Sequence, residues 1–254
     1  MRWATHRLVL SRVLPLTEFR FPAAFLQGLM KGVVEPDAIP DYVYVTVRRR
    51  RRSYTKAVPA RQHGGIDRNL VRYYTYLALY LYRRGDLYRA GRALGRAIHY
   101  VQDGVLRRTK WLVLDVHEKL EEEVDRLSES SLNELIGTCT RSELRIEASN
   151  KPREILCYAI KGTYDTLKWF VEELKRDIDK ASVMKRVQRD KLLKTLIGCS
   201  LALIGLGTLA VLPYISIPLF IAALATAYYT PQSYWEAFKA GLMKIEPPRY
   251  ETAM

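Results

Sequence analysis

The chain has four histidines, and two of them stand four residues ahead of a carboxylate: His99 and Asp103 in HYVQD, and His117 and Glu121 in HEKLE. On a helix, residues i and i+4 share a face one turn apart, so each pair can converge on one point. Imidazole nitrogen with carboxylate oxygen is the donor set of zinc and its neighbours. Two such helices packed antiparallel would aim four ligands inward, as bundle-borne metal sites do. An exposed intrahelical ion pair is the competing reading of either phrase. The remaining histidines are His6, at the start of the first helix, and His63, before Gly64-Gly65 in a basic loop.

Other chemistries lack their residues. The chain has no His-Asp dipeptide, no Gly-x-Ser-x-Gly elbow and no Gly-rich Lys-Ser/Thr phosphate loop. VHEKLE begins like the His-Glu-x-x-His protease motif, but Glu121 stands where the second histidine belongs.

The elements that must carry these residues are helical. Leu70, Tyr73, Tyr74, Leu77 and Leu81 recur at helical spacing, RRGDLYRAG interrupts them, and Leu87 to Val101 resumes the rhythm. This predicts two antiparallel helices joined at Gly85-Asp86, with Asp67 as the N-cap of the first. Further helices are expected at about 110–127, 130–137 and 151–194, which makes the fold class an all-α multi-helix bundle. Tyrosines 73, 74, 76, 80 and 82 fall on every face of one helix and read as packing or interfacial residues. Residues 1–67 read as a short helix and a long irregular region, with DYVYVTV at 41–47 the one ambiguous strand signal.

Residues 196–229 contain no charged side chain. A spanning helix needs about 20 apolar residues, so the segment is too long for one span and short for two. Pro213 and Pro218 near its middle predict a helical hairpin that crosses twice or dips in and returns. Lys185, Arg186, Arg189, Lys191 and Lys194 precede it, and Lys239 and Lys244 follow, which favours both ends on the cytoplasmic side. A single tilted span, or a hairpin buried in a soluble core, are the competing readings. The expected division is a helical domain at 1–190, a membrane hairpin at 191–230 and a tail at 231–254.

Lys and Arg number 41 against 27 Asp and Glu, a formal charge of +14 that favours an anionic partner: nucleic acid, phospholipid headgroups or a phosphorylated substrate. Cys139, Cys157 and Cys199 are scattered, odd in number and without a Cys-x-x-Cys pair, so free thiols in a reducing compartment are expected. Arginines 2, 7 and 12 interrupt any apolar run at the start, which reads as retained and cytoplasmic rather than as a secretory signal.

The segment YYTYLALYLYRRGDLYRAGRALGRAIHYVQDGVLRR, followed by HEKLEEEVD, resembles the zinc-dependent phospholipase C family, whose helical scaffold single-strand-specific zinc nucleases share. The WATH start and Pro36-Asp37 look like that family's N-terminal motifs. The resemblance covers residues 1–127 and implies that His63, His99 and Asp103 hold one zinc, that Asp103 bridges to a second held by His6, and that His117 and Glu121 belong to a third. Asp37 matches the acid that orients or deprotonates the attacking water. Two positions depart from the pattern: Thr109 stands where the family places a further histidine, and Trp3, whose counterpart ligates through a free amine, follows Met1 and Arg2. One or two zinc ions are therefore expected, and a third site is incomplete.

The expected function is a zinc-dependent phosphodiester hydrolase that acts on phospholipid headgroups through a zinc-activated water, anchored by residues 196–229. The alternatives are a zinc-dependent nuclease on single-stranded nucleic acid and a non-catalytic, membrane-associated zinc-binding module. Arg48, Arg49, Arg50, Arg51 and Arg52, between Asp37 and His63, would hold substrate phosphate or lie on an anionic membrane, the bland reading being a solvated charge run.

Overall fold

The structure, a computed structural model, describes residues 1–49, 52–107, 110–111, 114–115, 117–141, 143–209 and 213–253. It is mostly helical, as the periodicity predicts. The first stretch, expected to be largely irregular, instead holds α1 (Trp3–Val13), α2 (Ala23–Gly32), the single turn α3 (Glu35–Ala38) and a hairpin of β1 (Tyr42–Arg49) with β2 (Arg52–Pro59). Alternation explains β1: Val43 and Val47 are buried while Tyr42 and Tyr44 face out. The sequence of β2 has no such alternation, and its pairing with β1 makes it a strand.

Next come α4 (Arg68–Arg83) and α5 (Leu87–Gly104), which join at Arg84–Asp86 as expected. Asp67 caps α4, accepting from the amides of Asn69 and Leu70 at 3.1 Å each. After two-residue strands β3 (Lys110–Trp111) and β4 (Leu114–Asp115), α6 (His117–Arg141) runs unbroken where two helices were expected. The expected 151–194 helix divides into α7 (Pro152–Lys175) and α8 (Lys180–Leu209), the second capped by Asp179, which accepts from Ala181 and Ser182 N–H.

Two compact units result: Met1–Arg176 with Lys244–Met254, and Asp177–Met243. In the first, β5 (Arg249–Ala253) returns to pair parallel with β1, giving the sheet order β2-β1-β5. At the centre of this unit lies α5, in which every residue from Ala97 to Gly104 is buried. Phe21, Phe25 and Phe170 stack at one end of the core, with ring centroids 4.7 and 5.7 Å apart. Cys139 of α6 and Cys157 of α7 form a disulfide, which corrects the expectation of three free thiols. Their spacing matches no motif because the pairing is tertiary, across two neighbouring helices. Cys199 is free and exposed.

The second unit holds α8, α9 (Pro213–Tyr228) and α10 (Gln232–Lys239). Its base packs Val183 and Val187 on Ala237, ties Arg186 to Glu236 at 3.0 Å, and lets Lys194 donate to the Tyr229 carbonyl at 2.8 Å. Above the base α8 and α9 pair as a hairpin, with Gly205 against Phe220, but Leu203, Leu206, Ile217 and Ile221 face outward. Among the described residues α8 is the one helix long and apolar enough to cross a membrane.

Contact between α2 and α5 is what brings the chain's first third against the helix that bears His99. Gly28 and Gly32 lie against the α5 backbone, and Gly91 and Gly95 against that of α2, so a Cβ at any of them would overlap a backbone atom. Gly91→Ala is expected to destabilise the fold by about 1–3 kcal/mol through overpacking. Gly137→Ala, on α6 with open space around it, should instead stabilise by about 0.5–1 kcal/mol. Thermal melting of both variants tests the close approach.

Candidate metal centre

Three elements meet at the C-terminal end of α5. That helix contributes His99 and Asp103, α1 contributes His6, and α3 contributes Asp37. His6, His99 and Asp103 are almost fully buried, while the Asp37 side chain is 20 % exposed. One ligand atom from each lies within 4.8 Å of all the others, so the group could hold a metal ion.

The hydrogen bonds behind the imidazoles decide which nitrogens face the centre. His99 Nδ1 lies 3.1 Å from the Val33 carbonyl, which can only accept, so that nitrogen carries the proton. His6 Nδ1 lies 2.6 Å from Gln102 Oε1. The Gln102 amide is fixed in turn, because its Nε2 donates to Thr163 Oγ1 at 2.9 Å and that hydroxyl donates to the Ala159 carbonyl. Both rings therefore point Nε2 at the carboxylates. His6 Nε2, His99 Nε2 and Asp103 Oδ2 are buried and meet no hydrogen-bond partner in acceptable geometry.

These donor atoms converge closely. The nitrogen-to-oxygen separations are 3.2 Å from His6 to Asp103, 3.4 Å from His99 to Asp103, 3.6 Å from His99 to Asp37 and 3.9 Å from His6 to Asp37. Zinc bonds are about 2.0–2.1 Å long; the contacts above use both oxygens of each carboxylate, and one donor atom from each residue, all within 4.8 Å of one another, is compatible with such an ion. Nδ1–H donation to a carbonyl is also the usual support of a metal-ligating histidine.

The four groups titrate differently. Burial works against ionisation of Asp103, but His6, the Met1 amine and His99 outweigh it and hold the carboxyl well below its usual range. Burial lowers His99 to about 3, so this ring is neutral and ready to donate a lone pair. For His6 burial also opposes the charge, yet Asp103 dominates and raises it. Burial, and then repulsion from Asp103, push Asp37 up to about 6.

The cluster opens into a cleft of about 460 Å³ lined by Met1, Trp3, Asp37, His63, Asp103 and Glu121. His63 Nδ1 is 4.0 Å from Asp103 Oδ2. Its loop is docked by Gly64 and Gly65 N–H, which donate to the Leu106 and Gly104 carbonyls at the end of α5. Both glycines have positive φ, of 85° and 129°. Glu121 Oε1 lies 3.3 Å from the Met1 amine, which also donates to Asp103 Oδ1 at 3.0 Å. His117 opens α6, but its side chain lies outside the described set, as do those of Arg48, Arg49 and Arg52; Arg50, Arg51 and Thr109 lie outside the described residues altogether. Strand register puts Arg49 opposite Arg52, at the far end of the hairpin from Asp41. Eight residues at about 3.4 Å each make that arm about 27 Å long.

Sequence reasoning missed Gln102, Thr163, the Val33 carbonyl and the Met1 amine. Only Gln102 left a signal, as a polar residue one turn beyond Ile98 on the apolar stripe of α5. Comparison with protein-family models, with curated proteins and with solved structures finds no match to this chain. What the centre can do is thus decided by its own donors.

Zinc affinity is expected to fall as the pH drops below about 6, where Asp37 becomes protonated, and the raised His6 adds a second competing proton. Protonation of Asp37 favours the metal-free fold below that pH, and that contribution is lost above it, whereas a bound cation favours the ionised form. Each competing proton should cost about tenfold in affinity per pH unit. Equilibrium dialysis against zinc across that range checks it, and a flat profile would remove Asp37 and His6 from the ligand set.

Proposed function

We propose that the protein is a zinc-dependent phosphodiester hydrolase of phospholipase C type, acting on phospholipid headgroups at a membrane. The observation that carries this reading is the set of buried, hydrogen-bond-deficient His6, His99 and Asp103 atoms facing Asp37 at the floor of an open cleft. When bound, zinc would lower the pKa of a coordinated water and neutralise phosphoryl oxygens.

The chain's own residues supply the rest. His6, Asp37, His99 and Asp103 would hold the ion, and Gln102 and the Val33 carbonyl fix the ring orientations. Asp37, the least buried of the four, faces the cleft, where it would complete the ligand set and orient water that enters. His63 and Glu121 flank the cleft and extend the ligand set toward a second ion. Trp3, half exposed on the rim, offers an apolar contact to the substrate.

Support for a membrane comes from the hairpin of α8 and α9, whose apolar side chains face outward along its length. An enzyme so tethered meets phospholipid at high effective concentration. The +14 charge would also suit a polyanion, so single-stranded nucleic acid is the second substrate to assay.

Purified protein is expected to carry at least one transition-metal equivalent and to release a phosphomonoester from phospholipid vesicles. Cleavage of single-stranded nucleic acid alone would replace the lipid reading with the nuclease one, and zinc without turnover of either would leave a binding module. Asp103→Asn should abolish activity while Glu121→Gln leaves a measurable rate, since Asp103 touches His6, His99 and the Met1 amine; the reverse order would overturn the assignment. Changing exposed Leu203 and Leu206 together to Asp should shift the protein from the membrane to the soluble fraction, because Asp costs about 2.5–3.5 kcal/mol in a helix centre within a bilayer. Fractionation of the folded double variant reads this directly.

A further inference from the structure

One stripe of α5 carries Arg92, Arg96, His99 and Asp103 at helical spacing, and only its last two members belong to the metal centre. The first two grip the segment from Glu35 to Asp41, in whose middle Asp37 stands. Glu35 accepts from Arg92 Nε at 2.5 Å and Nη2 at 2.6 Å, and its Oε2 lies 3.2 Å from Arg96 Nε. Asp41 accepts from Arg96 Nη1 and, at 2.8 Å, from the Tyr100 hydroxyl. A single guanidinium thus holds both ends of a seven-residue segment, and it is 13 % exposed against carboxylates that are 6 % and 10 % exposed.

Between those ends the segment has little freedom. Pro36 and Pro40 fix two φ angles. Ile39 N–H donates to the Glu35 carbonyl, and Gln62 Nε2 donates to that of Pro36 at 3.0 Å. With the ends set, the Asp37 carboxylate comes to rest 3.6 Å from His99 Nε2. Removal of Arg96 would leave Glu35 with Arg92 alone and Asp41, among the described residues, with no cation, only the Tyr100 hydroxyl, so the segment would lose the one group that ties its two ends together. The five hydrogen bonds from α5 therefore register this segment, with α3, on the same helix that bears His99 and Asp103.

We propose that Arg96 is the positioning residue of the metal centre, and that it acts on the bound ion solely by holding Asp37 through Glu35 and Asp41. This inference rests on the metal-binding reading above. Cobalt(II) is the probe, because its visible absorption reports the ligands around it without reference to turnover. Asp37→Asn supplies the reference spectrum of a centre that lacks this ligand.

Arg96→Gln, folded by its thermal melt, is expected to reproduce the Asp37→Asn spectrum and to weaken cobalt binding by about 10–100-fold, as the loss of an outer partner does. Arg96→Lys, which keeps the charge but cannot span both carboxylates, should fall between that variant and the parent protein. A folded Arg96→Gln protein with the parental spectrum and affinity would overturn the proposal. Should that variant not fold, Tyr100→Phe decides. It removes one hydrogen bond to Asp41 and should move the spectrum in the same sense by less, and an unchanged spectrum would again overturn the proposal. If the parent protein gives no cobalt spectrum at all, the metal reading falls first and the role of Arg96 falls with it, an outcome distinct from normal binding that ignores Arg96.

Discussion

The Asp103 carboxylate is ionised and buried in the core of the N-terminal unit, and much of that unit is arranged around satisfying it. An unpaired charge in such a place would be prohibitive. Its compensation is drawn from the amine of Met1, His6 on α1 and His99 on its own helix, with His63 from the loop after β2 close by. The Met1 amine and His6 are both pushed toward their charged forms by the same carboxylate. The same donors could instead face a metal ion.

Because that carboxylate sits on the most buried helix, the fit of neighbouring helices matters as much as the donors. The glycines between α2 and α5 let two backbones touch, and the end of α2 leads directly to the Val33 carbonyl that orients His99. A bulkier seam would move α2 outward and carry both Val33 and the Asp37 turn with it. Packing and chemistry are coupled here through backbone position rather than through any shared side chain.

Much of this was legible in the residues. The 3.6-residue period marked α4 and α5, Asp67 marked a cap, and the four-residue interval from His99 to Asp103 placed two donors on one face. The cluster of His6, Asp37, His99 and Asp103 joins residues far apart in the chain, and only the resemblance to a zinc enzyme drew them together beforehand. The local signals failed wherever structure depends on distant pairing. Strand β2 exists through β1, the Cys139–Cys157 bond through the packing of α6 on α7, and Gln102 matters only because Thr163 fixes its amide. The disulfide also sets two compartment signals against each other: basic residues flanking the hairpin favour the cytoplasmic side, while a disulfide favours an oxidising one.

The return of β5 to the sheet has a topological consequence. Chain leaving α7 enters the unit of α8, α9 and α10, and what emerges must still reach β1 to lay a parallel strand beside it. The second unit is thus an excursion from a closed circuit, since its entry and exit both belong to one folded body.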